Sequence, residues 1–352
     1  MTTPRKADID KLDELLGRAE RIVISTHLHP DGDAVGSAVA MMHYLEEKRG
    51  KAPAVVINDP MPESIAFLDC PGILIASQDA AGATALIAAA DLIVSLDYND
   101  FSRAGDAVCG ALRASGAEKV LIDHHLNPSA GDFGLCFSET EISSASELLY
   151  HILMSMPDVD GDASRLPLSA ATALMTGMTT DTNNFANSVF PSTLEMASAL
   201  LAAGVDRDAI IMHVYNSFRE NRVKAMGYLL DRKLRILDNG VAYMVLSGGE
   251  TADMDIRDGE TEGFVNIPLT IGRVKMSVFL RQDDGYFRVS VRSRRGTSAN
   301  RFAAAFFHGG GHEQAAGGRL YIPDDVADAD GAALYIERAA ARFMENDSLR
   351  NN

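Results

Sequence analysis

Tryptophan is absent from this 352-residue chain, and aromatic residues make up only 7 % of it. A core must therefore be built from Ala, Leu, Ile, Val and Met, which the 47 % hydrophobic content allows. Cysteine is nearly absent too: Cys70, Cys109 and Cys136 are odd in number and widely spaced. That spacing excludes a disulfide framework and a zinc-ribbon pattern, and points to a reducing cytoplasm. Basic residues are outnumbered 32 to 49, giving a formal net charge of −17. Long nucleic acids are gripped through their phosphates by basic surfaces, so a long duplex is excluded as a partner. Long apolar runs are missing as well. The stretch 85–96 is broken by Asp91 and is too short to span a bilayer, so no membrane partner is expected. The first ten residues hold no signal-peptide core. No internal repeat and no low-complexity tract interrupts the chain, which is long enough for two domains.

What the sequence does contain is acidic and imidazole side chains at the ends of apolar runs. His27-Leu-His-Pro-Asp31-Gly-Asp33 follows Arg21–Thr26, Asp97 follows Asp91–Leu96, and Asp123-His124-His125 follows Lys119–Ile122. Each run reads as a strand, and ligands at the carboxyl ends of successive strands converge on one crevice of an open α/β sheet. A fourth candidate, Asp181, lies in Met178-Thr-Thr-Asp-Thr182. Any one of these has an ordinary structural explanation, because an Asp after a strand is often only a helix N-cap. Their conjunction asks that explanation to succeed separately at each place. Carboxylates and imidazoles without cysteine suit a hard or borderline divalent ion such as manganese. Bridging carboxylates suggest two ions, the arrangement that serves in-line displacement at phosphorus.

Periodicity predicts helices over 8–20, 34–48, 82–90, 168–180, 192–203 and 207–218, with a further strand at 52–58. Gly36 and Ser37 in the first turn of the second helix let another backbone approach closely, and free N–H groups there can hold a phosphate. Ser143 with Ser146 or Glu147 marks another helix start. Strand–helix alternation through residue 150 predicts an α/β fold with a doubly wound parallel sheet. The pattern changes after residue 218. The charged stretch 219–235 reads as a helical connector, and 236–352 as a second, smaller α+β domain across a cleft. Strands are expected at 241–246, 274–280 and 286–292, the last two joined by the Gln282–Gly285 turn.

Six arginines, Arg281, Arg288, Arg292, Arg294, Arg295 and Arg301, gather around this hairpin. Most are expected on a solvated strand face. Arg292, with Ser293 at a strand end, is favoured as a phosphate binder because its planar fork suits phosphate oxygens. The run Gly309-Gly310-Gly311-His312 carries a high entropy cost as plain structure. With 313–318 read as a short helix, it looks like a glycine loop at a helix N-terminus, which is an anion site.

Taken together, these motifs resemble the DHH phosphoesterase family, which includes the RecJ-like nucleases, over nearly the whole chain. They are most similar to its stand-alone nanoRNase and pAp phosphatase branch. His27-x3-Asp31-Gly-Asp33, Leu96-Asp97, Asp123-His124-His125 and Gly177-x3-Asp181 match four catalytic-domain motifs, spanning a catalytic domain at 1–218. Arg292-Ser293 and Gly309–His312 match the associated C-terminal domain. The resemblance implies two manganese ions, with magnesium or cobalt as substitutes. His27, Asp31 and Asp97 would hold one, and Asp33, Asp97, His124 and Asp181 the other. Asp123 would orient a ligating histidine, and His125 would meet the scissile phosphate or the leaving group. Arg292, Ser293, Gly309, Gly310, Gly311 and His312 would bind the other end of the substrate. The chain departs from its relatives at His29, Asn183-Asn184 and 185–187.

The implied activity is metal-assisted hydrolysis of short RNA to mononucleotides and of pAp to AMP, with dinucleotides as further partners and a homodimer allowed. A cyclic-dinucleotide phosphodiesterase would use the same residues. An inorganic pyrophosphatase shares the first three motifs but has a different second domain. A pure binding protein would be expected to lack a metal ligand, and none is missing.

Overall fold

The structure, a computed structural model, describes residues 4–346. It divides into two compact units, Met1–Ser217 and Phe218–Asn352.

The first unit is built on six parallel strands: β1 (Ile22–Ser25), β2 (Ala54–Ile57), β3 (Leu74–Ile75), β4 (Leu92–Leu96), β5 (Glu118–Asp123) and β6 (Leu135–Ser138), in the order β3-β2-β1-β4-β5-β6. β1 and β4 are buried along their whole length, as parallel strands covered on both faces must be. Successive side chains serve opposite faces. Ile22, Ile24, Leu92, Val94, Val120 and Ile122 enter one core, while Val23, Ile93 and Leu121 enter the other. On the first face lie α1 (Lys6–Arg18), α2 (Gly32–Arg49), α5 (Ala145–Met154), α6 (Leu168–Asp181), α7 (Pro191–Ala202) and α8 (Arg207–Tyr215). On the second lie α3 (Ala80–Ala89) and α4 (Asp106–Ala114). From β1 the chain winds outward to β2 and β3, then returns to lay β4 on the other flank of β1. The switch point is thus the crevice beyond the carboxyl ends of β1 and β4, where ligands of such sheets bind.

The second unit has β7 (Arg235–Ile236), β8 (Val241–Leu246), β9 (Met276–Asp283), β10 (Tyr286–Ser293), β11 (Gly310–Gly311) and β12 (Ala315–Tyr321), in the order β11-β12-β10-β9-β8-β7. Among the described strands of this unit, only the β8–β9 pair is parallel. Phe287, Val289 and Val291 face α11 (Ala299–Phe306) and α12 (Ala329–Glu345) through Phe302, Phe306, Ile336 and Phe343. The other face meets α9 (Glu220–Tyr228) and Phe264. The short α10 (Gly248–Asp253) follows β8. Residues 229–233 continue α9 as a π-helical turn, and Ala225 and Leu229 pack with Met244 and Leu246. The charged stretch beginning at 219 is therefore part of the second unit's own packing.

The doubly wound sheet and the smaller α+β unit expected from the sequence are what the chain forms. Three local expectations need correction. The helix after Ser143 is capped by Ser144, whose Oγ accepts from the Glu147 amide at 2.9 Å. Residues 313–318 do not form a helix, because Ala315–Tyr321 is strand β12, zipped against β10. The glycines before it permit a close backbone approach: a methyl on Gly309 would lie 1.9 Å from the Gly317 carbonyl oxygen. Finally, β3, β6, α4, α10 and α12 are elements that the sequence reading did not separate from their surroundings.

Candidate metal centre

Imidazole and carboxylate groups from five elements of the first unit meet at the switch point. His27 leaves the end of β1. Its Nδ1 lies 2.8 Å from the Leu28 carbonyl oxygen, which can only accept, so Nδ1 carries a proton and Nε2 is the nitrogen turned to the carboxylates. Nε2 stands 3.4 Å from Asp97 Oδ2 and 3.8 Å from Asp31 Oδ1. Asp31 also caps α2, accepting from the Asp33 and Ala34 amides at 3.0 and 3.1 Å. The capping role and a ligand role coexist at this residue.

Asp97, at the end of β4, has φ 62°, a left-handed conformation that costs a non-glycine residue and is retained where function over-determines it. Its Oδ2 faces His27, while its Oδ1 stands 3.4 Å from His124 Nε2. One carboxylate thus addresses His27 from one oxygen and His124 from the other, with His125 Nδ1 3.7 Å from the second. His124 Nε2 is also 3.7 Å from Oδ2 of Asp181, the last residue of α6. Asp33, in the first turn of α2, accepts from the Ala145 amide at 2.6 Å and the Ser146 amide at 2.9 Å, one on each oxygen. α2 and α6 cross closely enough to share the site because both are glycine there. A methyl on Gly36 would lie 2.7 Å from the Ala173 carbonyl oxygen, and one on Gly177 would lie 2.9 Å from Asp33 Oδ1.

Three overlapping ligand groups result: His27, Asp31 and Asp97; Asp33, His124 and Asp181; Asp97, His124 and His125. Their N···O separations of 3.4–3.8 Å exceed hydrogen-bond length but suit neighbours around a shared ion. Asp97 Oδ1 is buried with no hydrogen-bond partner among the described residues, where most such atoms have one. The donor set fits a divalent cation, and its lack of sulfur favours the harder ones.

Charge crowding shows in the carboxyl groups. Burial, then the charges of Asp97 and Asp181, lift Asp33 well above the usual carboxylate range. Burial likewise pushes Asp181 to about 7. Burial opposes ionisation at Asp97 too, but the His124 and His27 imidazoles outweigh it and hold that carboxyl well below its ordinary value. His124 is raised to about 10, its burial overcome by Asp97.

Asp123 is fully buried and turns to His125 rather than to His124. Its Oδ1 is 2.7 Å from His125 Nδ1, and its Oδ2 accepts the His125 amide at 3.1 Å. Ring and backbone of His125 are both fixed by this one side chain.

The remaining candidates lie in the second unit. Arg292 pairs with Ala315 across β10 and β12, and Ser293 Oγ donates to the Thr297 carbonyl at 2.6 Å. Gly310 and Gly311 form β11, and the His312 amide donates to the Ala315 carbonyl at 2.7 Å. The chain thereby gathers Arg292, Ser293 and the glycine turn at one end of the hairpin. Arg281, Arg288 and Arg292 line a cavity of about 130 Å³ with Phe279 and Glu262. Arg281 is only 8 % exposed and pairs with Asp258 and Asp283 at 2.7 and 2.9 Å, so the solvated face expected for most of these arginines is wrong for it. Arg292 has no carboxylate within 4 Å among the described residues; burial holds its guanidinium below its ordinary pKa.

Sequence reasoning missed the amides of Ala145 and Ser146 that hold Asp33. Backbone donors leave no mark in residue type, and the Ser143–Glu147 signal announced only a helix start.

A family model described as the DHH family, N-terminal domain, matches residues 21–178, and the DHHA1 domain matches residues 238–335. The chain is 28 % identical over 310 residues to a probable bifunctional oligoribonuclease and PAP phosphatase NrnA of Streptococcus mutans, covering 86 % of this chain and 90 % of the relative. It is 30 % identical over 304 residues to the bifunctional oligoribonuclease and PAP phosphatase NrnA of Thermus thermophilus, covering 85 % and 84 %. An exopolyphosphatase-related protein from Bacteroides fragilis superposes with a TM-score of 0.90 at 35 % identity, covering 98 % of this chain and 99 % of that one. The chain belongs to the DHH family of phosphoesterases and carries that family's DHHA1 domain in its second unit.

Proposed function

We propose that this protein is a manganese-dependent phosphoesterase that hydrolyses short oligoribonucleotides to mononucleotides and pAp to AMP in the cytoplasm. The observation that carries the reading is Asp97, whose two oxygens face two separate imidazole–carboxylate groups. Two relatives named as oligoribonuclease and PAP phosphatase align over most of the chain and support the substrate class. The net charge of −17 favours short substrates, since a long one would need many basic contacts.

On this reading His27, Asp31 and Asp97 hold one ion, and Asp33, Asp97, His124 and Asp181 hold the other. Bound divalent ions supply Lewis acidity and a nucleophile at neutral pH. Asp97 ties the two groups together. His125, locked by Asp123, meets the scissile phosphate or the leaving oxygen. Arg292, with Ser293, the glycine turn and His312, binds the substrate's other phosphate or nucleotide end. A half-buried guanidinium near Glu262, but with no carboxylate within 4 Å among the described residues, suits that task.

The test is a panel of pAp, di- to pentanucleotide RNA, a 24-mer, pApA and cyclic di-AMP, incubated with manganese and read by chromatography. Fast release of mononucleotide from pAp and short RNA, with little from the 24-mer, is expected. Preference for cyclic di-AMP would replace this reading with a second-messenger phosphodiesterase. In the same assay Asp123→Ala is expected to lower kcat by about 10–100-fold, the usual cost of losing an orienting partner. Manganese affinity within a few-fold of wild type would separate that effect from ligand loss.

A further inference from the structure

Glu147 is a carboxylate with no access to solvent, in the first turn of α5. A charge buried so fully is costly unless several hydrogen bonds meet it. Its Oε2 receives three: the Ser143 amide at 3.2 Å, the Ser143 hydroxyl, and Thr193 Oγ1 of α7 at 2.7 Å. Ser144 Oγ closes the loop by accepting the Glu147 amide at 2.9 Å. These bonds pin the segment 143–147 to itself and to the first turn of α7.

The next two amides along that segment, those of Ala145 and Ser146, are the ones that hold both oxygens of Asp33. The fit leaves no slack. Gly177 lies against the same segment, and a methyl there would be 2.0 Å from Ser146 Oγ. A shift of the α5 start would therefore turn the Asp33 carboxylate away from His124 and Asp181, with which it forms one ligand group.

We propose that Glu147 is a positioning residue of the metal centre: it fixes the start of α5 so that the Ala145 and Ser146 amides aim the Asp33 carboxylate at the ion shared with His124 and Asp181. The proposal rests on the reading of Asp33 as a metal ligand. Partners one step removed from a metal typically set 10–100-fold in affinity through ligand orientation alone. Here the influence passes through backbone amides rather than through a side chain touching the ligand.

The test is calorimetric titration of metal-free protein with manganese for the wild type, Asp33→Asn, Glu147→Ala and Glu147→Gln, with thermal unfolding of each metal-free protein. Asp33→Asn is expected to weaken one of the binding steps. Glu147→Ala is expected to weaken the same step by about 10–100-fold and spare the other. Glu147→Gln keeps an acceptor for Ser143 and Thr193, and is expected to fall between Glu147→Ala and wild type; it decides the matter if the alanine variant does not fold. A purely structural role would lower the unfolding temperature and leave both manganese affinities unchanged, which overturns the proposal. If Asp33→Asn binds manganese like the wild type, the ligand reading itself fails and takes this inference with it.

Discussion

Asp97→Asn is expected to lower kcat on a dinucleotide by about 10³–10⁴-fold with the fold retained. The carboxylate is the only one among the described residues whose two oxygens face His27 and His124 separately. Removing its charge weakens both ligand groups together. A metal centre contributes several kcal/mol to stabilising developing charge at phosphorus, and each 1.36 kcal/mol is tenfold in rate. Asparagine is the right replacement because position 97 has φ 62°, which Asn tolerates better than other L-residues. Alanine would confound lost chemistry with backbone strain. Circular dichroism and unfolding of the metal-free variant check the fold, and steady-state kinetics with manganese check the rate. A loss below tenfold would remove Asp97 from the centre of the mechanism.

The second large effect is on stability. Gly309→Ala is expected to destabilise the second unit by about 3 kcal/mol, the upper end of what forced overpacking usually costs. The added methyl would meet the Gly317 carbonyl oxygen at 1.9 Å and the Gly318 Cα at 2.6 Å, both backbone atoms that cannot rotate away. Gly310→Ala is the matched control. Its methyl meets only Asn300 Oδ1, at 3.4 Å, so a change within about 0.5 kcal/mol is expected, as for an ordinary surface substitution. Urea unfolding of the two variants measures the difference directly. Equal stabilities would mean that the β11–β12 ribbon relaxes at little cost.

That pair also shows where the sequence misleads. The glycine run suggests a cradle before a helix, yet Gly309 is required where its backbone lies against Gly317 and Gly318 of β12, and Gly318 where it meets the Phe307 carbonyl. Entropy cost flags a special position without saying whether a ligand or another strand fills it. By contrast, β1, β4 and β5 were legible because buried parallel strands are unbroken apolar runs, and the polar residues that end them lie at one crevice. β3, only 2 residues long, carries too little pattern to be read. α12 hides among alanines, although Ala332, Ile336, Ala339 and Phe343 do line its inner face. Within the site, residue types announced the ligand candidates, but not how they are held. The left-handed backbone of Asp97, the amides under Asp33, and the turn of Asp123 toward His125 instead of His124 all depend on contacts made only in the fold. Arg281 shows the same limit: a strand arginine looks solvated until a loop from another part of the chain brings Asp258 over it.

Titration of the metal-free protein with manganese tests the central claim most directly. The account predicts two ions per chain in the wild type, and loss of tight binding of both in Asp97→Asn, because that carboxylate serves both ligand groups. A single ion per chain, or two ions bound equally well without the Asp97 charge, would contradict it.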